Sequence, residues 1–227
     1  MKPLRLAHRG DWRVASENSV AAMRAALAVH GCDGLELDVR GSSDGVPVLL
    51  HDPTLERVHG VDAAVTSLTA AELAAHGIPS LAEVFAAVGR EPFVDVELKG
   101  SPVPAVVEVL DAARGIVGAG DAQPTLYRAA ISSFEAVTLA WLGLRRPGWA
   151  RWLIVRDMAP ATLRTATELE CEGVSVLWRA IHMAGLKEAR AAGLKVTAWT
   201  VTRRDTRDRL ARWGVDAIVV EGPALEG

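Results

Sequence analysis

The stretch GLELDVRGSSDGVPVLLHD, residues 34–52, alternates in a way that selects the architecture. Leu35, Leu37 and Val39 fall on one parity, Glu36 and Asp38 on the other. In a strand, alternate residues share a face, so two carboxylates look out from one side while the aliphatics cover the other. A turn through Asp44-Gly45 follows, and the next apolar run, Val48-Leu49-Leu50, ends in His51-Asp52. The inverted pattern returns at residues 93–99, FVDVELK, where Asp95, Glu97 and Lys99 oppose Val94, Val96 and Leu98. A single Glu-x-Asp usually marks the solvated face of an antiparallel edge strand. Two such strands, together with two histidines at the ends of strand-like runs (His8 and His51), call for a different explanation.

Outward from these runs, short apolar strands alternate with Ala- and Leu-rich helical patterns. Strands are expected at Leu4–His8, Leu35–Arg40, Phe93–Lys99, Leu126–Ser132, Trp152–Val155, Gly173–Trp178, Lys195–Val201 and Ala217–Val220. Helices are expected around Glu17–His30, with Ser16 as N-cap, and around Ser80–Val88, Pro102–Val117, Ser133–Leu142, Ala159–Glu170, His182–Ala192 and Arg203–Arg212. Eightfold strand–helix alternation points to an α/β fold: a single (β/α)₈ TIM barrel with a short insertion after the second strand. The runner-up is a doubly wound open sheet, which gives no reason for polar faces in its middle. No linker or composition shift divides the chain, so one domain over residues 1–227 is expected. In a barrel, Glu36 and Asp38 point inward near the C-terminal mouth, where such folds keep their active sites.

Composition sets the bounds. The chain has 227 residues, 50% hydrophobic, a formal charge of −3 and a pI near 6.1, an ordinary globular profile. The weak negative balance argues against nucleic acid or an anionic membrane as partner. Cys32 and Cys171 are far apart, fit no metal spacing and read as reduced packing residues. Neither a signal peptide nor a membrane anchor is legible, so a cytoplasmic location is expected. With only four lysines in the chain, Lys99 on a polar strand face is notable.

Clustered carboxylates repel one another unless a cation joins them. Oxygen-only donors select a hard divalent metal ion, Mg²⁺ or Ca²⁺, over zinc. Arg9 and Lys99 beside such an ion suit an anionic phosphoryl group, and two histidines can divide general-base and general-acid duties.

In order along the chain stand Ala7-His8-Arg9-Gly10, Ser16-Glu17-Asn18-Ser19, Glu36-Leu37-Asp38-Val39, Asp44-Gly45-x-x-Val48, His51-Asp52-x-x-Leu55, Glu97-Leu98-Lys99, Ser132-Ser133-Phe134 and Trp199-Thr200-Val201. In these motifs the chain resembles the glycerophosphodiester phosphodiesterases, a metal-dependent TIM-barrel family. The resemblance implies hydrolysis of a small-molecule glycerophosphodiester to glycerol 3-phosphate and an alcohol. It implies Glu36, Asp38 and Glu97 as metal ligands and His8 and His51 as the acid/base pair. Arg9 and Lys99 become phosphate contacts, and Trp199 a wall for the glycerol-side group. The family usually ends its last strand with Thr-Asp-x-Pro where this chain has Val220-Glu221-Gly222-Pro223, so Glu221 is left outside the site. Two other readings fit the same residues: a non-catalytic phosphate-binding barrel, and a phospholipase-D-like lyase acting on lysophospholipids. The short segment from Pro53 to Pro79 leaves little for a lid, so broad tolerance for the leaving alcohol is expected. The oligomeric state is not legible.

Overall fold

The computed structural model describes residues 2–100, 103–118 and 122–227. Its strands, in chain order, are β1 (Leu4–His8), β2 (Gly34–Gly41), β3 (Pro47–Leu49), β4 (Phe93–Leu98), β5 (Gly115–Ile116) and β6 (Thr125–Leu126). There follow β7 (Ala129–Ser133), β8 (Arg151–Val155), β9 (Gly173–Leu177), β10 (Lys195–Val201) and β11 (Ala217–Val220). β1 pairs in parallel with both β2 and β11, which closes a ring of order β1-β11-β10-β9-β8-β7-β4-β2. Every pairing within that ring is parallel, so the eight-stranded barrel is the observed fold. β3 lies outside it, antiparallel to β2, and opens the insertion expected after the second strand.

The helices are α1 (Val20–Leu27), α2 (Glu56–His59), α3 (Ala70–Ala75), α4 (Leu81–Val88), α5 (Ala105–Arg114), α6 (Ala136–Arg145), α7 (Pro160–Glu168), α8 (Met183–Ala191) and α9 (Arg204–Trp213). The aliphatic parity of the opening stretch does what alternation demands. Leu35, Leu37 and Val39 are buried in one core with Met23 of α1 and Leu81 and Val84 of α4. The opposite parity splits by depth. At the barrel floor Leu6, Ala130, Trp152 and Val219 form an apolar plug, with Phe93 stacked on Trp152 at 5.7 Å between centroids. Above that plug the inward residues become polar. A separate cluster, including Val48, Leu50, Leu55 and Leu73, holds the insertion together, and α3 begins in a capping box between Thr69 and Glu72.

Several boundaries differ from expectation for identifiable reasons. α1 is capped by Ser19, whose side chain accepts from Ala22 N, and not by Ser16. Glu17 and Asn18 are withdrawn from the helix because both serve the site, Asn18 at a left-handed φ of 57°. The strand expected from Leu126 begins at Ala129, since Arg128 at φ 49° breaks the extension and leaves Leu126 to a small ribbon with Gly115. The helix expected from Pro102 starts outside the described residues, and α5 ends at Arg114. Ser133, expected to open a helix, is the buried end of β7, and its hydroxyl donates to the Leu98 carbonyl at 2.8 Å. Arg207, inside the charged run of α9, is buried and donates to the Ala224 carbonyl at 3.0 Å.

Candidate active site

Register brings distant residues to one level. Glu36 pairs with Asp95, Asp38 with Glu97, Glu97 with Ser132, and His8 with Glu36. After His8 the chain turns sharply: Arg9 adopts φ 58° and Gly10 φ 84°. A Cβ on Gly10 would lie 2.6 Å from the Ala22 carbonyl carbon, so only glycine lets α1 approach this closely. The turn is locked by Arg9 N donating to the Glu36 carbonyl at 2.9 Å and Asn18 N donating to the Arg9 carbonyl at 3.0 Å.

Glu36, Asp38 and Glu97 are all buried, and one carboxylate oxygen of each lies within 4.8 Å of the others. Neither side-chain oxygen of Glu36 has a hydrogen-bond partner. Two cations answer part of this charge. Lys99 Nζ stands 2.6 Å from Glu97 Oε1 and 3.0 Å from Asp38 Oδ1, while Arg9 Nε is 2.9 Å from Asp38 Oδ2. Asn18 grips the same residue from below, its amide donating to Asp38 Oδ2 at 2.9 Å and its oxygen accepting from Asp38 N. Burial acts to raise the Asp38 carboxyl, but Arg9 and Lys99 outweigh it and hold the group below the usual carboxylate range. Glu36, without a close cation, is pushed well up by burial and then by Asp38, Glu97 and Asp95. Glu97 is pushed up to about 7 by burial and by Asp38 against the pull of Lys99. A buried carboxylate with both oxygens orphaned, beside two more, is a donor set that fits a hard cation.

Each histidine is anchored through Nδ1. His51 Nδ1 donates to Asp52 Oδ1 at 2.6 Å, and His8 Nδ1 donates to Glu221 Oε2 at 3.0 Å. A carboxylate can only accept there, so both rings keep Nε2 for the cavity. His8 Nε2 lies 3.9 Å from Glu36 Oε2. Burial lowers the His51 imidazole, with Asp38 and Asp52 opposing, which favours a neutral ring. Behind Asp52, Arg57 pairs with both Asp52 and Glu17, and Glu17 returns to Arg9 Nη1 at 3.1 Å. This belt couples the His51 side of the mouth to the His8 side.

A cavity of about 160 Å³ at the C-terminal mouth brings His8, Arg9, Glu36, His51, Glu97, Lys99 and Trp199 together. Asp38 lies directly beneath, fully buried. Trp199 is half-buried, donates its indole N–H to the Ser175 carbonyl at 2.9 Å and meets Phe134 edge to face at 5.5 Å. All eight residues expected at the site therefore converge. Glu221 lies outside the set of residues expected from the sequence. Its parity (Ala217, Val219, Glu221) points it inward, although it stands where the family usually has aspartate. Glutamate at that position reaches His8 across the seam where β1 and β11 pair. Arg156, Phe134 and Asp95 also line the cavity, each continuing the inward parity of its strand. From the sequence, Asp95 is placed on the polar face and Phe134 in a motif, neither with a role, and Arg156 is not singled out.

A pH dependence follows from the crowded acids. Asp95 is pushed up to about 7 by burial, with Ser132 opposing, beside Glu97 at a similar value. Between the ordinary carboxylate range and pH ~7 the unfolded chain has released these protons while the folded chain holds them, so stability falls as pH rises. Asp38, held low, contributes in the opposite sense but only at strongly acid pH. In a chelator, Tm is expected to drop on going from about pH 5 to about pH 7.5. Added Mg²⁺ or Ca²⁺ is expected to flatten the slope. Thermal melts across that range check it, and a flat profile in chelator would mean that the acids are ionised in the metal-free fold.

The chain matches the model of the glycerophosphoryl diester phosphodiesterase family over residues 8–225. A glycerophosphodiester phosphodiesterase of Caldanaerobacter subterraneus subsp. tengcongensis is 29% identical, with 98% of this chain and 96% of that protein covered. Among solved structures, a phosphodiesterase of Oleispira antarctica in complex with the product sn-glycerol-3-phosphate is 26% identical. It superposes with a TM-score of 0.82, covering 96% of this chain and 93% of that one. A glycerophosphodiester phosphodiesterase of Thermotoga maritima, 22% identical, shares the fold with a TM-score of 0.80, over 97% and 95% of the two chains.

Proposed function

We propose that this chain, which belongs to the glycerophosphoryl diester phosphodiesterase family, hydrolyses a glycerophosphodiester to glycerol 3-phosphate and an alcohol through a histidine pair and a divalent cation. The observation that carries this reading is the pairing of two imidazoles, each tied by Nδ1 to a carboxylate, with a three-carboxylate cluster in one cavity. A phosphate-binding barrel without turnover has no use for two histidines held this way.

Glu36, Asp38 and Glu97 hold the cation, with Mg²⁺ or Ca²⁺ favoured by the all-oxygen set. When bound, it supplies Lewis-acid stabilisation of the charge that develops on the phosphoryl oxygens. Arg9 and Lys99, at the edge of the cluster, contact the phosphate. One histidine takes the proton of the attacking water through Nε2 as the new P–O bond forms. The other gives a proton to the departing alkoxide as the old P–O bond breaks, so the leaving group departs as a neutral alcohol. The carboxylates on Nδ1, Glu221 and Asp52, stabilise the imidazolium that each ring passes through. Trp199, held by its bond to Ser175, forms the wall against which the glycerol half packs. The product seated in the Oleispira antarctica phosphodiesterase is consistent with that retained half. Among the described residues no helix is long and apolar enough to cross a membrane.

The test is product analysis. Purified protein supplied with Mg²⁺ or Ca²⁺ should release glycerol 3-phosphate and free alcohol from glycerophosphoethanolamine or glycerophosphoglycerol. No release from any glycerophosphodiester under either metal would overturn the reading.

A further inference from the structure

Two strands along the ring from β4, the cavity wall carries a cation that the proposed chemistry does not use. Arg156 follows β8 and continues its inward parity from Trp152 and Ile154, so the strand pleat aims it at the mouth. Its guanidinium stacks over Phe134 at 5.4 Å and over Trp199 at 5.8 Å from the ring centroids. Those two rings, edge to face at 5.5 Å, make a cage of the kind that receives an alkylammonium group by cation–π attraction. Here the chain's own arginine occupies that seat.

The charges around it show what it is free to bind. Arg9 and Lys99, the other permanently charged cations on the cavity wall, are ion-paired with the buried acids. Among the described residues Arg156 stands in no ion pair. Its sequence neighbour Asp157 is engaged elsewhere, accepting from Ala159 N at 2.9 Å and Thr162 Oγ1 at 2.6 Å at the start of α7. Depth then says which half of a diester it meets. Trp199 is half-buried and tied inward to Ser175, while Phe134 and Arg156 are exposed at the rim. With the glycerol half against Trp199, the leaving alcohol extends past the rim.

We infer that Arg156 selects the leaving alcohol: the site prefers diesters whose departing alcohol carries an anionic group and discriminates against purely cationic ones. An unpaired guanidinium recognises a carboxylate or phosphate by charge-assisted, bidentate hydrogen bonds and repels an ammonium placed on the same rings. The short insertion led to an expectation of broad tolerance for the leaving alcohol; a wall that carries Arg156 is charged and therefore not indifferent. This inference rests on the function proposed above.

The matched probes are glycerophosphoserine and glycerophosphoethanolamine, whose leaving alcohols differ by one carboxylate. At saturating Mg²⁺ the protein is expected to favour the serine diester by about tenfold in kcat/KM, the scale of one charge-assisted contact at a partly exposed site. In Arg156→Gln the ratio should fall to near unity, and in Arg156→Lys part of it should return. A ratio near unity in the unsubstituted protein, or an unchanged ratio in Arg156→Gln, overturns the inference. So does an equal loss for both diesters, which would make Arg156 a contact of the scissile phosphate. If neither diester is turned over, the proposed function falls, and binding to the Mg²⁺-loaded protein decides the inference alone. Tighter binding of the serine diester that disappears in Arg156→Gln supports it; equal binding sinks it.

Discussion

His8→Ala and His51→Ala are each expected to lower turnover by roughly two to four orders of magnitude, the range for a positioned general acid or base. The loss should fall on kcat more than on KM, because proton transfer is used only at the transition state. Neither ring belongs to the carboxylate cluster, so metal affinity measured by calorimetry should change little. The double variant should be far less than additive in its cost, since removing either half already breaks the relay. Near-normal turnover in either single variant would remove that histidine from the proposed pair. The anchors explain why large effects are expected from these partly buried rings: Asp52 and Glu221 fix the tautomer and aim of each before substrate arrives.

Removal of divalent metal is expected to abolish turnover, and Mg²⁺ or Ca²⁺ to restore it. A second readout needs no substrate. At about a hundred times Kd, a ligand bound only by the folded state adds about 2.7 kcal/mol, which for a chain of this size raises Tm by about 5–10 °C. Glu36→Gln separates the two roles of the cluster. Glu36 is the buried acid with neither oxygen hydrogen-bonded, so neutralising it should raise Tm in chelator while removing most of the metal-induced rise. Opposite signs in the two conditions are the signature of a ligand residue. Full turnover in thoroughly demetallated protein, or an undiminished metal-induced shift in Glu36→Gln, would contradict the assignment.

The inward and outward faces of the chain are a local property. A strand has a period of two wherever it packs, so Glu36, Asp38, Glu97 and Lys99 could be assigned to the barrel interior, and Leu35, Leu37 and Val39 to the helix layer, from alternation alone. The same holds for the eight ring strands, all of which lie where periodicity put them, with one start displaced by the positive φ of Arg128. Helix starts were less legible. Ser16 and Ser19 are equally good caps by chemistry, and what selects Ser19 is a tertiary demand, the use of Asn18 to hold Asp38.

Adjacency across the chain was decided only by closure of the ring. Parity says that Asp38 and Glu97 face inward, but the register of β2 on β4 sets them side by side. His8 and Glu221 are 213 positions apart, and they meet because β1 and β11 complete the barrel. Arg156 similarly reaches Phe134 and Trp199 from three different strands. Alternation is imposed residue by residue by backbone geometry, whereas register is the outcome of packing every strand and helix at once, and the charge balance of the site depends on the second.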